Sequence, residues 1–357
     1  MQDLRQRMNE EMVNRLVQAS KESEAIDIGK LVFRSSVILL SNTMFSGDLV
    51  DTKSNTIEVL KDTIEHIGTL IAKPNCVDSF PMLKKLDPQG LRKMVKPCYD
   101  RIRFLLEDLI DRRLKRRESG SSNGGDFLDI LLDNSVLTPG GSEELSRNQI
   151  RMILQDLLIG GTDTTTTTME WAMTELLHHP EIMKKAKQEL SRVIGSGRNV
   201  EEKDIPNLPY LEAVIKEAMR RHPTAPFLLP HRSEKQVQVC GYTIPKHTQV
   251  IINYWAISQD EKNWENPKEF APERFLRSEV DFRGTNFSYI PFGSGRRICP
   301  GMSLGIRMLF LMLGSFVHRF DWKLPNGMKP QDMDLGDKFG IDLQKATPLV
   351  ATPVFLN

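Results

Sequence analysis

Pro291-Phe292-Gly293-Ser294-Gly295-Arg296-Arg297-Ile298-Cys299-Pro300-Gly301 decides how the rest of the chain is read. It sets one cysteine behind a glycine-rich turn that carries two arginines. Gly293, Gly295 and Gly301 permit close backbone approach and positive φ. The apolar run 302–316 predicts a helix, so Cys299 stands near a helix start. Backbone N–H groups and nearby cations there favour a thiolate. Phe292 can pack against a flat cofactor, and Arg297 can pair with a carboxylate on it. A thiolate held this way can be the axial ligand of a haem iron, where it favours O–O cleavage. The plainer readings are a buried structural cysteine or an anion-binding turn. The second lacks the P-loop order that ends in Gly-Lys-Ser/Thr.

Working back toward the N-terminus, Ser146-Arg147-Asn148-Gln149 has the pattern of a capping box. Apolar residues follow at Ile150, Ile153, Leu154, Leu157 and Leu158, and resume at Met169, Ala172, Met173, Leu176 and Leu177. The spacing predicts a helix over about 147–178, limited by Pro180. At 1.5 Å per residue it would be roughly 48 Å long. Inside it sits Gly160-Gly161-Thr162-Asp163-Thr164, continuing in threonines to Thr168. Glycines and β-branched residues weaken a helix. Gly160 and Thr164 share a face, where a missing side chain beside a hydroxyl makes a small polar notch. Bound oxygen needs such a notch, with Thr164 as donor and Asp163 feeding protons from the solvent side. The plainer reading is a kink with threonines bonded back to carbonyls.

Glu217 and Arg220 are i,i+3 neighbours on a predicted helix. Pro272-Glu273-Arg274-Phe275 offers a second arginine from an irregular segment. A buried Glu217–Arg220–Arg274 cluster would brace that segment without taking part in chemistry. Residues 237–244 and 248–252 predict strands near a turn at Pro245-Lys246. The basic run Arg112, Arg113, Lys115, Arg116 and Arg117 predicts a solvated helix end. The stretch 118–126 is rich in serine and glycine and predicts a flexible loop.

Composition sets wider bounds. Hydrophobic residues are 39% and charged residues 27%, the balance of a soluble globular chain. A net charge of +1 gives no reason to expect nucleic acid. Cys76, Cys98, Cys240 and Cys299 lie far apart, which argues against a disulfide framework or zinc site. No run of 18 apolar residues occurs, and the charged N-terminus is no signal peptide.

These sites, in this order, resemble the cytochrome P450 family. The signature Phe-x-x-Gly-x-Arg-x-Cys-x-Gly matches at Phe292, Gly295, Arg297, Cys299 and Gly301. The oxygen-activation motif matches at Gly160, Gly161, Asp163 and Thr164, and the Glu-x-x-Arg pair at Glu217 and Arg220. The wording looks most like plant microsomal terpenoid hydroxylases. The resemblance implies an α+β, mainly α-helical haem-thiolate fold, with residues 1–357 as one catalytic domain. It implies Cys299 as axial iron ligand, and Arg297 and His231 on the haem propionates. Substrate would touch 224–229, 157–161 and 339–341, positions that are mostly apolar and suit a small apolar substrate. Asp163 and Thr164 would deliver protons. O2 and an NADPH–cytochrome P450 reductase would be partners, at the cytosolic face of the endoplasmic reticulum membrane.

Members of this type begin with an anchor, a proline-rich hinge and a helix carrying Trp-x-x-x-Arg. None of these is in the sequence, so the expectation is a fold lacking its N-terminal part. Two rival expectations follow. One is a truncated, haem-deficient product without activity. The other is a haem isomerase or dehydratase, a class that tends to lose the acid–threonine pair retained here.

Overall fold

The capping box starts the longest helix as the sequence predicts. Gln149 N–H donates to Ser146 Oγ at 3.4 Å, and Ser146 N–H donates to Gln149 Oε1 at 2.9 Å. A computed structural model describes residues 2–47, 56–120, 125–135, 145–338 and 340–356. Its helices begin with α1 (Gln2–Glu22), α2 (Ile28–Phe45), α3 (Thr56–Ala72) and the single turn α4 (Cys76–Ser79). Next come α5 (Leu91–Glu118), α6 (Phe127–Asp133), the capped helix α7 (Arg147–His178), α8 (Pro180–Ile194) and α9 (Pro209–Arg221). Two short helices, α10 (Tyr254–Ser258) and α11 (Glu273–Leu276), precede α12 (Met302–Arg319).

The strands are short and lie at the margins. β1 (Ile26–Asp27) and β6 (Phe320–Lys323) both pair antiparallel with β9 (Val350–Phe355), in the registers Ile26↔Ala351 and Phe320↔Phe355. β2 (His231–Arg232) pairs with β5 (Gln249–Val250). β3 (Val237–Val239) and β4 (Tyr242–Ile244) form a hairpin, and β7 (Asp337–Lys338) pairs with β8 (Gln344–Lys345). The mainly helical α+β reading therefore holds. The strand expected over 237–244 is instead two strands, because Cys240 and Gly241 both take positive φ and turn the chain back. The strand expected over 248–252 shortens to β5.

Two apolar clusters make the core, and α7 belongs to both. Leu154 and Leu158 pack with α2, α3, α5 and α6. Met169, Met173 and Leu176 pack with α1, α8, α9 and α12. Residues 160–168 lie where α7 passes from one cluster to the other. Leu304 of α12 and Ile38 of α2 touch both clusters and join them. α7 is one continuous helix through residues 160–168. The threonines do bond back within it, Thr162 to Leu158 O at 2.9 Å and Thr166 to Thr162 O at 2.9 Å.

The basic run at the end of α5 is only partly solvated. Arg113 is buried and donates to Asp126 Oδ1 at 2.8 Å, while Arg117 donates to Asp129 Oδ1 at 2.7 Å. These bonds tie α5 to the start of α6. The predicted loop over 118–126 contains residues 121–124, which lie outside the described residues. No helix among the described residues is long and apolar enough to cross a membrane.

Candidate active site

The loop before α12 is shaped by its own backbone. Gly293 and Gly295 take φ of 74° and 66°, as the sequence predicts, whereas Gly301 takes an ordinary −84°. A Cβ at Gly301 would lie 3.8 Å from Cys299 Sγ, an ordinary contact distance, so position 301 neighbours the sulfur without a steric need for glycine. Cys299 N–H donates to Phe292 O at 2.9 Å, and Met302 N–H donates to Cys299 O at 3.3 Å. The cysteine thus sits on the turn that leads into α12, partly exposed and outside any disulfide. No side chain caps the start of α12, which leaves its first N–H groups facing the turn.

Sequence reading missed Gly284, which backs this loop. Its carbonyl accepts from Ser294 Oγ at 2.6 Å, and a Cβ on it would come within 2.5 Å of Gly293 O. Any larger residue would push the cysteine turn off its support. The signal was present as a lone glycine at 284 upstream of the cysteine loop, but nothing local shows what it touches.

The two glycines of α7 have different tasks. A Cβ at Gly160 would meet open space, and Gly160 is exposed. A Cβ at Gly161 would come within 2.8 Å of Leu40 Cδ1, so Gly161 lets α2 approach. Thr164 is exposed on the same face as Gly160, and its hydroxyl donates to Gly160 O at 2.6 Å. The notch read from the sequence is therefore an open strip of Gly160 and Thr164.

Asp163 differs from expectation. It does not face solvent: it is 7% exposed, and Gln344 Nε2 donates to its Oδ2 at 2.8 Å. Burial first, and the neighbouring Asp342 second, push its carboxyl up to about 8. Position 163 is one residue round the helix from Thr164, and the C-terminal segment covers that flank.

Further segments expected to line a pocket do meet. Thr224 Oγ1 lies 3.0 Å from Thr168 Oγ1 on α7, and Thr224 O accepts from Leu343 N–H at 2.9 Å. Ile341 Cγ2 lies 3.3 Å from where a Cβ on Gly68 of α3 would stand. Phe227, Leu229 and Ile341 are exposed apolar side chains. Phe339, also expected here, lies outside the described residues. His231 on β2 and Arg297 on its 3₁₀ turn are both exposed, and neither side chain has a hydrogen bond or ion pair to another described residue. The structure does not pair them with each other.

The brace is more deeply buried than a surface pair. Arg220 Nε donates to Glu217 Oε2 at 2.7 Å and Arg220 Nη2 to Glu217 Oε1 at 2.8 Å, with both side chains at 0% exposure. Arg274 Nε adds a bond to Glu217 Oε1 at 3.0 Å. The spare donors of Arg220 reach Ser258 O, Pro267 O and Glu269 O, so the cluster satisfies the irregular coil that leads to the cysteine loop.

The helical core, the cysteine turn before α12 and the glycine–threonine strip on the long helix α7 invite comparison with known proteins. The model of the cytochrome P450 family fits residues 1–349. Geraniol 8-hydroxylase of Swertia mussotii is 49% identical over 355 residues, covering 99% of this chain and 71% of that protein. Geraniol 8-hydroxylase of Catharanthus roseus is 48% identical over 353 residues, with the same coverage. A solved zebra fish cytochrome P450 with progesterone superposes with a TM-score of 0.80 at 29% identity, covering 99% of this chain and 77% of that one. The chain belongs to the cytochrome P450 family. It is an enzyme of that family and has the family fold, which carries haem on an axial thiolate. Family membership brings a small-molecule substrate, O2 and a redox partner.

The residues present fit that group. The thiol of Cys299 is outside any disulfide, a strip of α7 is open at Gly160, and among the described residues the Arg297 side chain has no ion-pair partner.

Proposed function

We propose that residues 1–357 are one haem-thiolate monooxygenase domain that inserts one oxygen atom from O2 into an apolar small molecule, of terpenoid class. The electrons come from NADPH through a flavoprotein reductase, and the enzyme works at the endoplasmic reticulum membrane, as its plant relatives suggest. The observation that carries this reading is Cys299 on its glycine-shaped turn, with Thr164 beside the open Gly160 on α7.

Haem held by a thiolate supplies oxygen binding and favours O–O cleavage. The chain's own residues do the rest. Cys299, at the start of α12, would be the ligand. Arg297 and His231 would hold the propionates by hydrogen bonds. Phe292 and Gly295 shape the wall behind the ligand. Thr164 sets a hydroxyl on the open strip, where it can accept a hydrogen bond while donating to Gly160 O, and Asp163, the adjacent residue, holds a proton. The exposed apolar residues Phe227, Leu229 and Ile341 orient a hydrocarbon substrate, which has few groups for polar contacts. Two geraniol 8-hydroxylases among the relatives make a monoterpenoid alcohol the first substrate to assay.

The test is the absorption spectrum of the reduced protein with carbon monoxide. A thiolate-type band is expected. Purified protein that binds no haem, or whose band lacks thiolate character, sinks the reading. Thr164→Ala is expected to lower product formed per electron consumed by about tenfold or more, with peroxide released in its place. Helix geometry should survive, because among the described residues the hydroxyl bonds only to Gly160 O within the same helix. Unchanged coupling would remove Thr164 from proton handling.

A further inference from the structure

Asp163 has a partner that the family motif does not include. Gln344 on β8 places one amide nitrogen 2.8 Å from Asp163 Oδ2 and 2.9 Å from Asp342 Oδ2. An amide nitrogen carries two hydrogens, so one reaches each carboxyl. Thr167, one turn further along α7, has its Oγ1 3.5 Å from the same Asp342 oxygen. The two carboxyls are 7% and 9% exposed. Two buried carboxylates sharing a site cannot both ionise cheaply, so such a pair keeps one proton. A purely structural clamp would not need two acids. An Asp–Asn pair would hold the same segment to α7 without the repulsion.

The surroundings include a charged edge. Lys61 and Glu65 of α3 pair with each other, and Lys338 of β7 lies 3.7 Å from Glu65. Asp342 and Glu65 both favour the protonated form of Asp163, while Lys61 opposes it. That edge is partly open to solvent, with Lys338 49% exposed, whereas Thr164 on the other side faces the open strip. Asp163 thus feels the charges of this edge, and the next residue of α7, Thr164, lies on the open strip.

We propose that Asp163 and Asp342 form one proton-sharing pair clamped by Gln344, in which Asp342 is the positioning residue that keeps Asp163 supplied. This rests on the monooxygenase reading for its purpose, though not for its geometry. A proton leaves Asp163 for the Thr164 side, Asp342 replaces it, and water at the Lys61–Glu65 edge replenishes Asp342. Only O–H bonds form and break, and no electron moves.

The test uses the haem-loaded full chain. Infrared spectra are titrated with pH, and the wild type minus Asp163→Asn difference isolates the stretch of the Asp163 carboxyl. In Asp342→Asn, a near-isosteric change, the midpoint of that band is expected to fall by about one pH unit or more. In Gln344→Met the midpoint is expected to rise, because the ionised member of the pair loses a donor. Loosening of the fold alone would move both variants in the same direction. With geraniol as probe, product per electron should fall about tenfold in Asp342→Asn. A midpoint unmoved in Asp342→Asn, or moved the same way in both variants, overturns the pair. If instead the wild type lacks a thiolate band with carbon monoxide, the monooxygenase reading fails, and the infrared titration still decides the pair.

Discussion

Cys299→Ser is expected to abolish the thiolate-type band of the reduced carbon monoxide complex and to bring oxygenation down to background. The change removes one soft, electron-rich sulfur and replaces it with a weakly basic hydroxyl. Push of electron density from the ligand is what favours O–O cleavage. The substitution is nearly isosteric, and the loop is held by other bonds. Cys299 N–H to Phe292 O and Ser294 Oγ to Gly284 O remain in the variant. Loss of the band with unchanged unfolding behaviour would therefore assign the sulfur as ligand. Retention of the band would place the ligand elsewhere. The other three cysteines, Cys76, Cys98 and Cys240, provide the control: their serine variants should keep the band.

Glu217→Ala is expected to be the most damaging change away from the cysteine loop. It strands Arg220, which is fully buried, and it removes the acceptor of Arg274 and of Ala271 N–H. Removing one partner of a buried ion pair costs about 3–5 kcal/mol. A native domain has only about 5–15 kcal/mol in total, so the loss is a large fraction. Chemical unfolding would measure it, together with haem content after purification. Glu217→Gln should cost less, because the amide oxygen can still accept from Arg220. Arg274→Ala should also cost less, because Glu217 keeps its two bonds from Arg220. Equal stability of Glu217→Ala and wild type would show that the brace does not support the coil.

The brace and the cysteine loop show how much of the site was legible along the chain. The spacing of Phe292, Gly295, Arg297, Cys299 and Gly301 is local, because a turn and the start of a helix need only neighbours in sequence. Glu217 and Arg220 are one helical turn apart, so their pairing was also legible. The partners that enclose them were not, since Trp264, which lies against Arg220, comes from another segment. Gly301 was expected to need positive φ and does not. Only the folded turn shows that it stands next to the Cys299 sulfur.

Asp163 marks the boundary most clearly. The sequence by itself determined that this is a mainly helical chain. Its long capped helix carries a glycine–acid–threonine stretch, and its cysteine stands on a glycine turn before another helix. These follow from periodicity, capping and turn chemistry, which act over a few residues. Which way Asp163 faces, and that Asp342 and Gln344 meet it across about half the chain, was decided only by the tertiary structure. The periodicity of α7 sets the angle between residues 163 and 164, but only the packing of the C-terminal segment and α3 buries one flank and leaves the other open. Burial and a like-charged neighbour then determine how the carboxyl ionises, and both are properties of the folded molecule.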